Sequence, residues 1–323
     1  MRTDKTPGLR LTRAFLLFLL VSPAALHTHG RPPHTAHARQ QTPDRSAQQD
    51  DDVVRVEADL VVLNVTVTDK QGNYVRKLAR ADFRVLEDGR EQPISTFGME
   101  ETPFAAALLL DTSGSMEKRV SLARSAAIRF LDGLREEDTA AVYRFDSKVE
   151  QLQDFTTGRD LPPMAFQIEA DGMTALNDAV LQAARDLSTR PEKRRAIVVL
   201  SDGFDTKSGA SADKALNAAT AAGATIFTVD MSDPRASATN KHLAAAALRF
   251  FAEKSGGRYV STPGGQALAN AFAGIVDELR HQYTIGYQPS NRARDGRWRE
   301  VDIKVARADT KVRTRRGYRA PKS

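Results

Sequence analysis

The sequence predicts an α/β fold in which a doubly wound, mostly parallel sheet carries a flanking β-sandwich formed by the N- and C-terminal segments. Between residues 104 and 280, short apolar runs alternate with segments of helical periodicity, as in strands joined by crossover helices. On both sides of that block, apolar and polar residues alternate one by one, as in half-exposed strands. The chain has 323 residues, which is enough for about two domains.

The segment 53–103 has the pattern of strands and tight turns, and we assign it to the first part of the β-sandwich. Residues 61–67 place apolar side chains at every second position. Residues 54–62 alternate in the opposite phase, which predicts a bulge near Leu60. Asp88-Gly89 is a strong hairpin signal, because both residue types adopt positive φ readily.

The segment 104–280 is predicted to be the α/β domain. Continuous apolar runs predict strands that are buried on both faces, at 104–110, 140–145, 196–200 and 224–229, with a short strand at 258–261. Apolar residues at helical spacing predict helices at 120–134, 176–187, 211–222, 242–254 and 266–279. Because strands and helices alternate, the crossovers should be right-handed and the sheet parallel.

From residue 281 to 323 the β pattern returns, and we assign this segment to the second part of the sandwich. Residues 283–287 alternate, a strand follows the turn at Asp295-Gly296, and residues 312–318 predict a last strand. About four strands before the α/β domain and about three after it would form one seven-stranded sandwich.

The first 52 residues predict an exported protein. Basic residues precede the apolar run Ala14–Val21, and small residues follow it, which is the pattern of a secretory signal peptide. We therefore assign 1–38 to the signal peptide and the start of a linker, and 39–52 to a flexible linker. The run is too short to span a bilayer, and no later stretch approaches the necessary length, so we expect a periplasmic or extracellular protein without a transmembrane segment.

Composition excludes several classes of function. The chain has no cysteine, so disulfides, cysteine-ligated metals and thiol nucleophiles are excluded. The net charge is +6, but residues 1–38 hold five of the 47 basic residues and one of the 41 acidic ones. With that segment removed the charge is nearly balanced, so nucleic acid is not an expected partner.

Small oxygen-bearing residues follow the predicted strands, where ligands bind in open α/β sheets. Three stretches carry them: Asp111–Ser115, Asp171–Leu176 and Ser201–Asp205. Oxygen ligands select Mg²⁺, Mn²⁺ or Ca²⁺ over softer metals. Residues 111, 113 and 115 would point the same way in an extended turn. Each stretch also has a simpler interpretation, because Ser, Thr and Asp-Gly are common at helix caps and turns.

Neutral hydroxyl ligands would leave a bound cation most of its positive charge. If Ser113, Ser115 and Thr174 supply direct contacts, the ion keeps an open position that suits a carboxylate from a partner. We therefore expect a protein ligand that binds through an Asp or Glu side chain.

These motifs resemble a known family. Asp111-Thr-Ser113-Gly-Ser115 resembles the Asp-x-Ser-x-Ser motif of von Willebrand factor type A domains and integrin I domains, and Ser201-Asp202-Gly203 resembles their third loop. Gly172-Met-Thr174-Ala-Leu resembles their threonine loop. The resemblance implies a metal-ion-dependent adhesion site for Mg²⁺, with ligands held directly or through water. The metal-site residues it implies are Asp111, Ser113, Ser115, Thr174 and Asp202. Asp171 departs from the small residue expected there, and an extra carboxylate would favour Ca²⁺.

The flanking segments carry a second resemblance. Tyr283-Thr-Ile285-Gly286-Tyr287-Gln-Pro289 and the Glu87-Asp88-Gly89 turn are similar to segments of bacterial, acidobacterial-type von Willebrand factor A-related domain proteins. This resemblance implies the same compartment and fold for the whole mature chain.

Two other functions compete with metal-dependent binding. A hydrolase is disfavoured because only His242 and His281 lie in the folded part, and neither is at a predicted carboxyl strand end; we expect no enzyme. An envelope-associated structural protein is the alternative, since residues 291–323 hold twelve basic and four acidic residues. That basic face would contact an anionic envelope, although charged edge strands also serve to prevent aggregation.

Overall fold

The structure is a computed structural model that describes residues 60–99, 102–160, 173–203, 205–233, 235, 237–262 and 264–322. The expectations for the signal peptide, the linker and the strand positions before Leu60 therefore lie outside the described residues, as does Asp171. In the described part, the predicted α/β sheet with a flanking sandwich from both chain ends is confirmed.

Four strands precede the α/β domain: β1 (Val61–Asp69), β2 (Phe83–Glu87), β3 (Arg90–Gln92) and β4 (Ile94–Gly98). In β1 the apolar side chains at 61, 63, 65 and 67 are buried as expected, but the polar residues Asn64 and Thr66 between them are buried too, so this strand is not half-exposed. β2 and β3 form the predicted hairpin, in which Asp88 and Gly89 adopt φ of 48° and 78°. A type I′ turn needs positive φ at both positions, which Asp and Gly tolerate.

The central sheet has six strands in the order β10-β9-β8-β5-β6-β7. They are β5 (Phe104–Asp111), β6 (Thr139–Phe145), β7 (Val149–Thr156), β8 (Arg194–Ser201), β9 (Ala224–Asp230) and β10 (Tyr259–Ser261). Four helices connect strands of this sheet: α1 (Val120–Asp132), α2 (Leu176–Ser188), α3 (Ala212–Ala221) and α4 (Ala238–Ser255). A fifth, α5 (Gly265–Arg280), follows β10 and leads to the C-terminal strands. No helix in the described ranges is both long and apolar enough to cross a membrane.

The two faces of this sheet are covered by different helices, which makes it doubly wound. Alternate residues of β5 face opposite sides, so Leu108 packs with α1 and α5, whereas Leu109 packs with α2, α3 and α4. Both residues are fully buried. The continuous apolar run in β5 follows from this burial on both faces.

The C-terminal segment adds four strands: β11 (Tyr283–Tyr287), β12 (Trp298–Val305), β13 (Thr310–Arg313) and β14 (Gly317–Arg319). They interleave with the first four in two antiparallel sheets, ordered β13-β1-β11-β4 and β14-β12-β2-β3. The inward faces of both sheets share one apolar core, in which Tyr283, Ile285 and Tyr287 of β11 are fully buried.

Within the described residues, the sandwich has eight strands rather than the seven expected. Residues 312–318 were predicted to be a single strand, but β13 and β14 are separate and belong to different sheets. The chain crosses between the sheets at residues 314–316. There the Arg316 carbonyl accepts a hydrogen bond from Val301 N–H at 2.8 Å. Alternation within a segment cannot reveal such a crossing, because both strands keep the same period.

Candidate functional site

The carboxyl ends of the central strands bring the predicted loops together. Asp111 ends β5, and Ser201 and Asp230 end the neighbouring strands β8 and β9, where they are paired residues in the register. Asp111 is likewise paired with Phe145 at the end of β6. Because these strands are parallel and adjacent, the segments that follow them leave the sheet at one edge.

Asp111 is the buried centre of this edge, with 3% of its surface exposed. Its Oδ2 accepts a hydrogen bond from Ser201 Oγ at 2.5 Å, and its Oδ1 accepts one from Ser113 N–H at 2.9 Å. Both contacts fix the carboxylate in one orientation. Ser201 thus joins the loop after β8 to the loop after β5.

The two serines of the first loop form a pair that runs from the interior to the surface. Ser113 is fully buried and Ser115 is exposed, and their Oγ atoms are 3.0 Å apart. The expected extended turn is wrong beyond Ser113, because a 3₁₀ helix occupies Gly114–Arg119 and Met116 N–H donates to the Ser113 carbonyl at 2.9 Å. The hydroxyls nevertheless converge, because this tight turn folds Ser115 back over Ser113.

Asp202 completes the cluster on the β8 side. Its carboxylate accepts a hydrogen bond from the Ser115 side chain. The turn beyond it requires glycine, since Gly203 has a φ of 87° and an added Cβ would lie 2.6 Å from the Ala244 carbonyl oxygen. The backbone turn at Gly203 and the orientation of Asp202 are therefore set together.

Thr174 lies at the same edge, and its side chain is buried. Its N–H donates to Thr206 Oγ1 at 2.9 Å, and its carbonyl accepts from the backbone N–H groups of Thr206 and Lys207. The next residue, Ala175, donates to the Asp146 carbonyl just beyond β6 at 2.6 Å. The threonine loop is thus bound both to the loop after β8 and to the end of β6.

Helix capping does not account for these hydroxyls. The N-terminal residue of α1 is preceded by Arg119, which makes no side-chain cap. At α2 the free N–H groups of Asn177 and Asp178 are capped by Asp205 and Ser208, at 2.7 and 3.0 Å. At α2, the capping that was considered for Thr174 is therefore performed by two residues of the loop after β8.

The carboxylates at this edge destabilise one another's charge. Burial, together with the nearby charge of Asp202, raises the pKa of Asp111 to about 6. Burial also raises the pKa of Asp202. The hydrogen bond from Ser115 lowers this pKa, and the charge of Asp230 raises it further. Such carboxylates ionise more easily when a cation is bound between them. The donor set of carboxylates and hydroxyls therefore fits a hard divalent cation.

Two further residues contribute to this edge beyond the five proposed metal-site residues. Ser201 orients Asp111, and Asp230 accepts hydrogen bonds from Ser232 N–H at 2.8 Å and Tyr259 Oη at 2.5 Å. The signal for Ser201 is its position as the last residue of a buried strand. Within the described ranges, no three His, Asp or Glu side chains stand together as a metal-binding group.

One family model matches part of the α/β domain. Residues 106–204 match the family model described as von Willebrand factor type A domain. No curated protein matches the sequence. Among solved structures, the chain is similar to a von Willebrand factor type A protein from Catenulispora acidiphila, with 13% identity, 83% of this chain and 75% of that one covered, and a TM-score of 0.45.

Two further solved structures are similar over 55% of this chain. One is the vWF domain of the type V pili tip protein Mfa5 from Porphyromonas gingivalis, with 14% identity, 94% of that chain covered and a TM-score of 0.45. The other is an aerotolerance-related membrane protein from Bacteroides fragilis, with 16% identity, 98% of that chain covered and a TM-score of 0.42.

Proposed function

Starting from the von Willebrand factor type A domain that this chain contains, we propose that it is a protein-binding module that captures an acidic side chain of a partner through a divalent cation. The observation that carries the proposal is the convergence of Asp111, Ser113, Ser115 and Asp202 in one hydrogen-bonded cluster at the carboxyl edge of the sheet. The proposal is of a binder and includes no chemical step on the partner.

The cation would be held by Ser113, Ser115 and Thr174, with Asp111 and Asp202 as ligands directly or through water. When bound, Mg²⁺ supplies a positive charge with a preference for anionic oxygen. Mn²⁺ and Ca²⁺ are alternatives with the same preference for oxygen. Ser201 holds Asp111 in place, because its hydroxyl donates a hydrogen bond to the Asp111 carboxylate oxygen Oδ2. Ser115 is the exposed member of the cluster, so a partner would reach the ion from its side.

Export is part of the proposal, on the signal-peptide pattern of residues 1–38. A binder of this kind would act in the periplasm or outside the cell. N-terminal sequencing of the protein from its native host should give a start between Ala25 and Gln40, and an intact Met1 in the cytosol would contradict export.

The test of the metal site is calorimetry with Mg²⁺ and with Mn²⁺. Wild type should bind either ion, and Asp111→Ala should bind neither, because the carboxylate at the centre of the cluster is lost. Ser115→Ala should weaken binding by about tenfold while the fold is kept, since Ser115 is exposed and its loss leaves no buried cavity.

The matched control is Asp213→Ala, which removes an exposed carboxylate from the first turn of α3. It should bind both ions as wild type does. Equal binding by Asp111→Ala and wild type, or no binding by wild type even with an acidic peptide present, would contradict the proposal.

A further inference from the structure

A cavity of about 430 Å³ lies between the sandwich and the α/β domain, where α3 turns into β9. Small-molecule sites range from ~300 to 1,000 Å³, so its size suits a compact ligand. Its apolar lining residues include Leu60, Val62 and Pro321. Leu60 keeps 41% of its surface exposed.

The rest of the cavity is strongly basic. Lys193, Arg195, Arg315 and Arg319 line it, and no Asp or Glu is among its described lining residues. Two of these cations come from the α/β domain and two from the C-terminal segment. The basic excess of residues 291–323 is therefore partly concentrated at one concave site.

Two of these cations bind carbonyl groups at the C-terminal end of α3. Arg195 Nη1 donates to the Ala222 carbonyl at 2.8 Å, and Arg315 Nη1 donates to the Thr220 carbonyl at 2.5 Å. Cations commonly bind the free carbonyls of a helix C-terminus. The Gly223 carbonyl is also occupied, by Asn64 Nδ2 at 3.1 Å. These acceptors are therefore already used.

Donors remain after the helix end is satisfied. Arg315 has 8% of its surface exposed, and its buried Nε has no hydrogen-bond partner. Burial lowers the pKa of Arg315 to about 10, so the side chain is still a cation at neutral pH. Lys193 and Arg319 are exposed, and neither has a hydrogen bond or ion pair within the described part of the chain. A buried cation without a counter-charge is costly, and a bound anion would remove that cost.

From this geometry we infer that the cavity binds a small phosphate ester, with its phosphate oxygens held by Arg315, Lys193 and Arg319 and its apolar group against Leu60, Val62 and Pro321. Guanidinium groups match phosphate oxygens through paired N–H donors, and charge-assisted hydrogen bonds of this kind are strong. A doubly charged oxyanion suits a cavity with several cations and no carboxylate better than a neutral ligand does.

This site is independent of the proposed cation site. Arg195 lies near the start of β8 and Gly223 precedes β9, so the cavity is at the amino edge of the central sheet. Asp111 and Asp202 lie at the carboxyl edge. Removal of divalent cations should therefore leave phosphate-ester binding unchanged.

The experiment is calorimetric titration of the full chain with phenyl phosphate in the presence of EDTA. Wild type should bind phenyl phosphate more tightly than inorganic phosphate and should not bind benzyl alcohol. Lys193→Gln and Arg319→Gln should each weaken binding by about threefold to fivefold, as expected for one exposed charge. Both positions are exposed, so these variants should fold as wild type does.

Arg307→Gln is the matched control, because it removes one exposed positive charge from the turn between β12 and β13, outside the cavity. It should bind phenyl phosphate as wild type does. The inference is overturned if wild type does not bind phenyl phosphate, if both cavity variants bind as wild type, or if Arg307→Gln loses as much affinity as they do.

Discussion

The Asp111 carboxylate receives hydrogen bonds on both oxygens, yet its position in the fold opposes its charge. Ser201 Oγ and Ser113 N–H satisfy the two oxygens. Burial and the charge of Asp202 outweigh them, so the pKa of Asp111 rises to about 6. A protein selected only for stability would place an apolar or amide side chain here. Asp111 therefore behaves like a functional residue: the free-energy cost of ionising its buried carboxylate would be offset when a cation binds.

Asp111→Asn should stabilise the metal-free protein above pH 6. In the folded state the Asp111 pKa is raised from 3.8 to about 6, so ionisation costs folding free energy above pH 6, and this cost disappears as the pH falls toward 4. We expect an advantage of roughly 1–3 kcal/mol for the variant at pH 7.5, shrinking steadily on acidification. Urea unfolding in EDTA across this pH range measures the difference.

Asp213→Asn provides the comparison, because Asp213 is exposed at the start of α3. Its stability relative to wild type should change little over the same pH range. An Asp111→Asn difference that stays constant with pH, or grows on acidification, would show that the buried carboxylate does not carry this cost.

The sequence identifies the five proposed metal-site residues but not the residues that orient them. Asp111, Ser113 and Ser115 stand in one short motif, so their proximity follows from local chain geometry. Ser201 lies 90 residues from Asp111, and the Ser201-Asp202-Gly203 motif does not indicate which side chain the serine contacts. Orientation by residues from distant loops depends on strand order, which the alternation of helices and strands leaves open.

The last turns of α5 join the α/β domain to the sandwich through a buried carboxylate. Glu278 has 1% of its surface exposed, and Arg313 of β13 binds its Oε1. Thr66 of β1 also donates to Oε1 at 3.2 Å, and Arg258 lies 3.5 Å from Oε2. One side chain thus contacts two sandwich strands and the segment before β10.

Glu278→Ala should lower the free energy of unfolding by about 1.5–3 kcal/mol, because the hydrogen bonds of this buried carboxylate are lost, while its two arginine partners remain partly exposed to water. Chemical denaturation measures this loss. Glu253→Ala on α4 is the control, since Glu253 is exposed and its ion pair with Arg249 spans 4.0 Å. That control should cost no more than about 0.5 kcal/mol. Equal effects of the two substitutions would mean that the Glu278 cluster contributes no more than a surface pair.

The edge strand β7 shows where periodicity fails as a guide to elements. Val149–Thr156 pairs antiparallel with β6, but its side chains are mostly half-exposed, and Gln151 and Gln153 interrupt the apolar pattern. A strand at the edge of a sheet has one free side and needs no continuous apolar run. The buried strands β5, β8 and β9 were predictable because burial on two faces favours long apolar runs, and their polar residues are few.

A chain that ends at Arg280 should leave residues 61–98 open to protease. β1 lies between β13 and β11, and β2 pairs with β12, so this truncation removes partners from both sheets of the sandwich. What remains is an isolated hairpin of β2 and β3 with two unpaired strands, which is marginal in water. Limited proteolysis followed by mass spectrometry should show cleavage in this segment.

Residues 104–280 provide the reference within the same sample, since the central sheet keeps all of its strands in the truncated chain. They should be as resistant as in the full chain. If residues 61–98 are equally resistant in both proteins, the two flanks do not depend on each other.

The interleaving of the two flanks sets an order of events during synthesis. Val65 of β1 pairs with Tyr283 of β11, about 220 residues later in the chain, so β1 leaves the ribosome long before β11 exists. Folding of the central domain would bring the two flanks together, because Gly98 and Thr284 are paired neighbours at its ends. A prefolded insert shortens the effective loop that must close, which lowers its entropic cost. Substitutions that slow folding of the central domain should therefore prolong the lifetime of an unpaired, apolar β1, and with it the opportunity for aggregation.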